Sequence, residues 1–469
     1  MTMSGAVRRA IAAFVLLAFT SLVAYQVCRI PVQVSDSLGN LLQIQSQPLP
    51  DVFISQFSNG AYVRPLLWAQ LKVAYESADQ REPLMFKAIH VAQLVLLAFL
   101  MLRLMRVETG AELAAAILAT LVLFGLHTFD GLVREAHPIN SFLTIALAVV
   151  ATLNLSMGEP RWWRDAAALA IFLLSILTLE SGVLVAAALV AGRVTGLKGV
   201  SWTGAGATAL ALALYLVLRF TVFDAGAPGL SERPSGFGFR TLEPAELTAR
   251  FASNPWPFYA YNVLASLVSV LAAEPRGGVW YAVQGLAAGQ MWPPWLLINV
   301  AASLLASGLV LWSVPGALRR WIGRTATARD RLLLASLAVL AGNAVVSFGY
   351  TKDVIMSAGG VCFALAVYAA TATALAARGR TAPRAAYVAV ALALSLWTVR
   401  AAALPVRLER QAALVRQEWQ GVQGWLERQH IAAVTPEARA LVTRLRRSAL
   451  QTRPRAIEWS GWRAMLDLN

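Results

Sequence analysis

Charge is scarce in this chain, and acid is scarcer than base: 14% of the 469 residues are charged, with 25 Asp and Glu against 40 Lys and Arg. An ordinary water-soluble domain carries about a quarter charged residues, so that class is excluded at the outset. Cysteine and histidine are nearly absent too. Cys28 and Cys362 sit in or beside apolar runs and make neither a disulfide framework nor a metal site. The histidines at 90, 127, 137 and 430 show no ligand spacing, and His90, inside an apolar helical run, reads as a packing residue.

What is abundant is apolar sequence, at 58% of the chain. It comes in runs of about 18 to 22 residues, the length that crosses a hydrocarbon core as a helix. The runs are continuously apolar and rich in Ala and Leu, whereas barrel strands are short and alternating. The expected fold is therefore all-α and polytopic, with about eleven transmembrane helices near 10–28, 88–105, 112–129, 139–156, 165–179, 181–192, 203–221, 294–314, 332–349, 356–377 and 385–403. The first is read as an uncleaved anchor behind Arg8 and Arg9.

Short loops rich in Lys and Arg stay on the cytoplasmic side. Arg103 and Arg106, Arg161 and Arg164, Arg193 and Lys198, Arg319 to Arg331, and Arg378 to Arg384 all fall on the side of the N-terminus in this register. FYAYNVLASLVSVLAA, from Phe258, is apolar enough to cross, but one crossing there would invert the Arg319 cluster. It is read as an interfacial or re-entrant helix. The organisation is then a membrane domain, 1–403, with outer loops 29–87 and 222–293, followed by a basic helical tail, 404–469, on the outer face. The tail's arginines, among them Arg407, Arg410, Arg416, Arg444, Arg446 and Arg447, suit a solvated face lying on anionic head groups, or docking of an anionic acceptor. Topology accounts for the basic residues and no binding module is visible, so nucleic acid is not an expected partner. WPPWLL from Trp292 reads as an aromatic interfacial anchor, and Gly359 and Gly360 as sites of close helix packing.

Asp36, Arg64, Asp130, Arg134, Glu135, His137, Arg219, Lys352 and Asp353 all fall at outer helix ends or in outer loops, and Glu180 separates two apolar half-runs near the same face. Charges at membrane depth are costly, about 2.5 to 3.5 kcal/mol on insertion scales, so a one-sided set of them points to function. Snorkelling of single residues such as Lys352 and Arg219 to the interface is the plain alternative.

The order of an acid after the first helix, then YVRPLLWAQL from Tyr62, then FKAIHVAQLVLLAFLMLRLMR from Phe86, resembles the N-terminal half of GT-C superfamily membrane glycosyltransferases, especially relatives of protein O-mannosyltransferases and their tetratricopeptide-bearing counterparts. AILATLVLFGLHTFDGLVREAHPINSF, ILTLESGVLVAAALV and GYTKDVIMSAGGVCFAL are similar to that family's third and fourth helices, its broken helix and the opening of a late helix. The likeness covers most of 8–400.

The resemblance implies a transferase that takes a hexosyl or pentosyl group from a polyprenyl-phosphate carrier on the outer face of a bacterial-type plasma membrane. Asp36 would be the general base of an inverting attack by an acceptor hydroxyl, with Asp130 or Glu135 filling the place of the family's second acid. Arg64 and Lys352, with Arg219 as a third candidate, would bind the donor phosphate, whose second negative charge develops as the sugar leaves. Arg134, His137, Glu180, Tyr350 and Asp353 would line the acceptor and sugar pocket. No cofactor is implied; a divalent cation held by Asp36 with Asp130 or Glu135 is left open. The acceptor is a lipid, a glycan or a protein. A cell-envelope polysaccharide polymerase or ligase is a rival reading within the same chemistry. A flippase or transporter for a lipid-linked sugar is a rival outside it, and would bring an internal repeat that the sequence does not display.

Overall fold

The computed structural model describes residues 3–57, 62–134, 138–223, 230, 234–238, 240–272, 283, 285–349, 351–376, 382–428 and 435–451. Almost all of them are helical. The first helix, α1 (Gly5–Val27), starts behind Ser4, whose hydroxyl accepts the Val7 N–H. The polar segment after it forms three short helices, α2 (Asp36–Gln45), α3 (Leu49–Ile54) and α4 (Pro65–Ser77). Prolines open the last two, where the missing N–H is harmless.

Next come α5 (Glu82–Leu104), α6 (Gly110–Gly125) and α7 (His127–Arg134). Thr109 and Glu112 cap α6 reciprocally, and the chain bends by 57° between α6 and α7. The run continues with α8 (Ser141–Ser156), α9 (Trp162–Ile176), α10 (Val183–Thr195) and α11 (Trp202–Val217), which tightens into a π turn over Leu218–Val222. A single turn at Glu180–Gly182 separates α9 from α10. A β-carbon on Gly182 would lie 2.5 Å from the Ile176 nitrogen, so only glycine allows this fold-back.

The long loop after α11 contains an antiparallel two-stranded ribbon, β1 (Ser235–Phe237) with β2 (Arg240–Leu242), then α12 (Pro244–Phe251) and α13 (Trp256–Leu271). The chain closes with α14 (Pro294–Ile322), α15 (Ala328–Val346), α16 (Ser357–Ala376), α17 (Ala382–Gln420), α18 (Val422–Arg428) and α19 (Pro436–Gln451).

Six helices among the described residues are long and apolar enough to cross a membrane: α1, α5, α11 with its π turn, α14, α16 with the turn before it, and α17. The bent pair α6 and α7 makes a seventh. The other expected spans meet shorter helices, such as the 16 residues of α8, 15 of α9 and 13 of α10, against about 20 needed to cross unaided. The segment from Phe258 is the 16-residue α13, which packs on α15 and α16 and whose Asn262 donates to the Phe348 carbonyl.

The bundle is built around α16. It touches α6, α8, α14 and α15, and 18 of its 20 residues are buried. Small residues let its neighbours approach: a β-carbon on Gly360 would collide with the Thr128 hydroxyl, and one on Gly359 would lie 3.0 Å from Leu340 Cδ1. By contrast α11 is the least covered of the six, with Leu210, Leu214, Val217 and Phe220 exposed. An apolar face this extensive needs a hydrocarbon solvent.

Ion pairs gather the helix ends into two sets. One joins Arg9 to Glu108 (2.6 Å), Arg320 to Asp330 (2.6 Å) and Arg329 to Glu112 (3.1 Å). The opposite end holds the pairs of Arg64, Arg219 and Arg407, together with a backbone bond from Leu66 N–H to the Leu177 carbonyl at 3.0 Å. Expected as a span over 385–403, α17 instead runs unbroken for 39 residues through Pro405, roughly 58 Å at 1.5 Å per residue. Its second half stands on this opposite end.

Candidate functional site

A polar cavity of about 290 Å³ opens at that end, lined by Gln33, Gly131, Arg134, Lys352, Asp353, Val354 and Gln411. Four stretches of chain build it. Gln33 lies between α1 and α2; Gly131 and Arg134 come from α7; Lys352 to Val354 form the turn leading into α16; Gln411 belongs to the C-terminal half of α17. The bend after α6 is what turns α7 across the bundle end. A β-carbon on Gly131 would lie 3.4 Å from the Val354 nitrogen, ordinary van der Waals contact, so α7 lies directly against that turn.

Behind this lining is a charged layer. Asp130 is buried, with 7% of its side chain exposed, and is flanked by Arg407 Nε at 3.0 Å and Arg134 at 3.7 Å. Its Oδ1 has no hydrogen-bond partner among the described residues. His127 Nε2 approaches Asp353 Oδ1 at 3.7 Å, beyond hydrogen-bond reach but close enough for a charge to be felt.

Arg64 and Arg219 form a separate group. Arg64 reaches Glu180 through Nε (2.9 and 3.1 Å) and a terminal nitrogen (2.7 Å), and its guanidinium lies 4.4 Å from the centre of the Tyr62 ring. Arg219 meets the same carboxylate at 3.5 Å and the Tyr215 hydroxyl at 3.1 Å. Two guanidiniums thus share the Glu180 carboxylate. Neither arginine is among the residues lining the cavity.

Asp36 is the exposed first residue of α2, where a helix N-terminus favours an acid. It follows Gln33 by three residues but does not itself line the cavity. Its helix is held from the far end, where the buried Lys72 donates to the carbonyls of Ile44 (3.0 Å) and Gln45 (3.3 Å). Glu135, His137 and Tyr350 lie outside the described residues.

The sequence-derived set is thus divided three ways. Arg134, Lys352 and Asp353 meet at the cavity with Asp130 behind; Arg64, Glu180 and Arg219 make the second group; Asp36 stands at the edge. Gln33 and Gln411 are residues of the cavity that sequence reasoning missed, and Arg407, named only among the tail's basic residues, stands behind it on Asp130. The one available signal was the spacing of Arg407 and Gln411, four apart and so on one helix face. Among the described residues no group of three or more His, Cys, Asp or Glu side chains is placed to hold a metal ion. Asp130 in particular is already flanked by two guanidiniums, which disfavours a cation there.

The arrangement suits an anion with hydroxyl groups: cationic Arg134 and Lys352, a carboxylate at Asp353, and two amides. No family model, no curated protein and no solved structure matches this chain.

Proposed function

We propose that the chain is a membrane glycosyltransferase of the GT-C type, moving a sugar from a polyprenyl-phosphate carrier to an acceptor hydroxyl on the outer face of the membrane. The reading takes the bundle end that bears the cavity as the outer one, and the shorter helices as completing an eleven-span topology. The observation that carries it is the cavity itself, where cationic and carboxylate side chains share about 290 Å³ at a bundle end. That is near the lower limit of small-molecule sites, roughly 300 Å³, and fits one sugar unit better than a chain of them.

In this mechanism the acceptor oxygen attacks the anomeric carbon, the bond from that carbon to the carrier's phosphate oxygen breaks, and the acceptor proton passes to a carboxylate. The carrier leaves as a phosphate monoester with one more negative charge. Lys352 and Arg134 face that charge, and the guanidiniums of Arg64 and Arg219 add to the local field. Asp36 is the proposed base, reaching an acceptor that enters over the edge of the cavity. Asp353, which lines the cavity beside His127, is the competing base on the same chemistry.

The test is transfer of radiolabel from a panel of polyprenyl-phospho-sugars by purified protein in lipid, with Asp36→Asn and Asp353→Asn beside the wild type. Asp36→Asn should abolish transfer while sparing carrier binding. Near-normal turnover in that variant with loss in Asp353→Asn would move the base to Asp353. Absence of transfer or donor hydrolysis with every carrier, despite tight binding, would discard the transferase in favour of a flippase or a ligase.

A further inference from the structure

The C-terminal half of α17 is stitched to α7 at one point and to the segment before α2 at three more. Arg407 Nε pairs with Asp130 at 3.0 Å, and Glu409 with Arg29 at 3.7 Å. The Val34 N–H points at the Glu418 carboxylate at 3.4 Å, and the fully buried Trp419 donates its indole N–H to the Val32 carbonyl at 2.6 Å. Arg407, Gln411, Val415 and Trp419 recur every four residues, so they form one face of the helix. Three of the four are accounted for: Arg407 by Asp130, Val415 by burial, Trp419 by Val32. The fourth, Gln411, lines the cavity together with Gln33, the residue immediately after Val32.

An amide on this face is an informative choice. Gln offers one acceptor oxygen and two N–H donors, the match for a hydroxyl, which both donates and accepts. A phosphate only accepts, and Arg134 and Lys352 in the same lining already present donors with positive charge. Pinned above and below along its helix face, the Gln411 backbone cannot drift, which is what a selective polar contact requires.

We propose that Gln411, with Gln33 beside it, contacts the sugar hydroxyls of the bound donor and sets which sugar is accepted, making the C-terminal arm part of the binding site. The inference rests on the transferase reading and adds the residues that discriminate among donors. A site built to hydrogen-bond a hydroxyl rejects a ligand lacking it far more strongly than an apolar pocket rejects an extra one, because the site's amide is left unpaired when the ligand covers it.

The experiment labels single cysteines with a membrane-impermeant thiosulfonate reagent in sealed vesicles of known orientation. The background is Cys28→Ser, since Cys28 is exposed while Cys362 is buried. Gln411→Cys, Gln33→Cys, Lys352→Cys and, as a control on an exposed neighbouring position, Arg410→Cys are labelled alone, with bare polyprenyl phosphate, and with each polyprenyl-phospho-sugar. Lys352→Cys should be protected by both kinds of carrier, and the two glutamine positions only by carriers bearing the preferred sugar. Protection should slow labelling about tenfold when ligand is present at about ten times its dissociation constant. Arg410→Cys should stay unprotected.

Equal labelling of Gln411→Cys with and without sugar, while Lys352→Cys is protected, overturns this inference and leaves the transferase standing. Protection of Gln411→Cys by bare carrier phosphate to the same degree also overturns it. No binding of any carrier by the Cys28→Ser background, which keeps Lys352, discards the transferase reading itself. Should Gln411→Cys fail to fold, Gln411→Met, of similar volume but without the amide, serves instead: it should raise the KM for the sugar-bearing donor at least tenfold with bare-carrier affinity unchanged, and an unchanged KM would sink the idea.

Discussion

Glu180→Gln is the substitution whose consequence can be worked furthest from the structure. Glu180 holds Arg64 by contacts of 2.7, 2.9 and 3.1 Å and Arg219 by one of 3.5 Å. These side chains are 23% exposed for Glu180, 27% for Arg64 and 7% for Arg219. Opposite charges at about 4 Å attract by about 4 kcal/mol at an effective dielectric near 20, most of it offset by desolvation while all partners are present. Neutralising the carboxylate alone removes the offset. The buried Arg219 and the half-buried Arg64 then both lose this carboxylate, and the expected loss is about 3 kcal/mol. Arg64→Gln should cost less, about 2 kcal/mol, because Glu180 retains Arg219. The double variant should fall short of the sum of the singles by about 2 kcal/mol, since the two groups act as one unit. Reversible unfolding in mixed micelles titrated with dodecyl sulfate measures all three. Strict additivity, with coupling below about 0.5 kcal/mol, would refute the reasoning and reduce the contact to a surface pair.

Three further outcomes follow from contacts elsewhere. Gly360→Ala should destabilise the protein by about 1–3 kcal/mol through its collision with Thr128, and Thr128→Ala in the same chain should restore most of the loss; no rescue would mean the backbone, not the side chain, is the obstacle. Arg444→Ala strips the partner, 2.6 Å away, from Glu82, which is 2% exposed, and should cost about 3–5 kcal/mol in the same unfolding assay; a loss below about 1 kcal/mol would show that α19 is not docked. Burial alone would raise the Asp330 carboxyl, but hydrogen bonds from Arg320 and Thr327 outweigh it and hold it below its ordinary 3.8. A depressed carboxyl contributes stability that is present above the ordinary value and lost as pH falls through the folded one. Unfolding stability should therefore decline below about pH 4, and Asp330→Asn should flatten that decline; an unchanged acid limb would assign it to other groups.

The membrane class and the helical fold were legible in composition and run length, and most helix positions with them. The glycines at 359 and 360 were also read for what they do. Less legible was where helices bend or continue. The run expected over 112–129 breaks at Leu126 into α6 and α7, because the polar His127 and Asp130 turn toward the bundle end. Pro405 would ordinarily end a helix, yet α17 runs on to Gln420 because Leu404, Leu408 and Trp419 are buried against the rest of the chain. Partners far apart in sequence were invisible for a simpler reason. Arg64 and Glu180 are 116 positions apart, and a single chain carries no local pattern that pairs them. The tail's arginines, which suited a lipid-facing helix, are in part turned inward on Asp130 and Glu82.

The sheathing of α16 bears on how the protein is made. A helix with 18 of 20 residues buried has no lasting contact with lipid, yet it must leave the translocation machinery sideways into the bilayer like any other, which explains why it remains apolar on every side. Its lipid neighbours are then exchanged for protein, and since lipid tails are as apolar as its own side chains, only close fit drives that exchange. The Ala and Gly that make the fit leave little surface of their own for early association, but α6, α8, α14 and α15 all precede α16 in the chain, so its partners are in place when it is made. Truncations that end just before α16 should therefore insert their helices but remain loosely assembled and prone to degradation, a defect of assembly rather than of membrane entry.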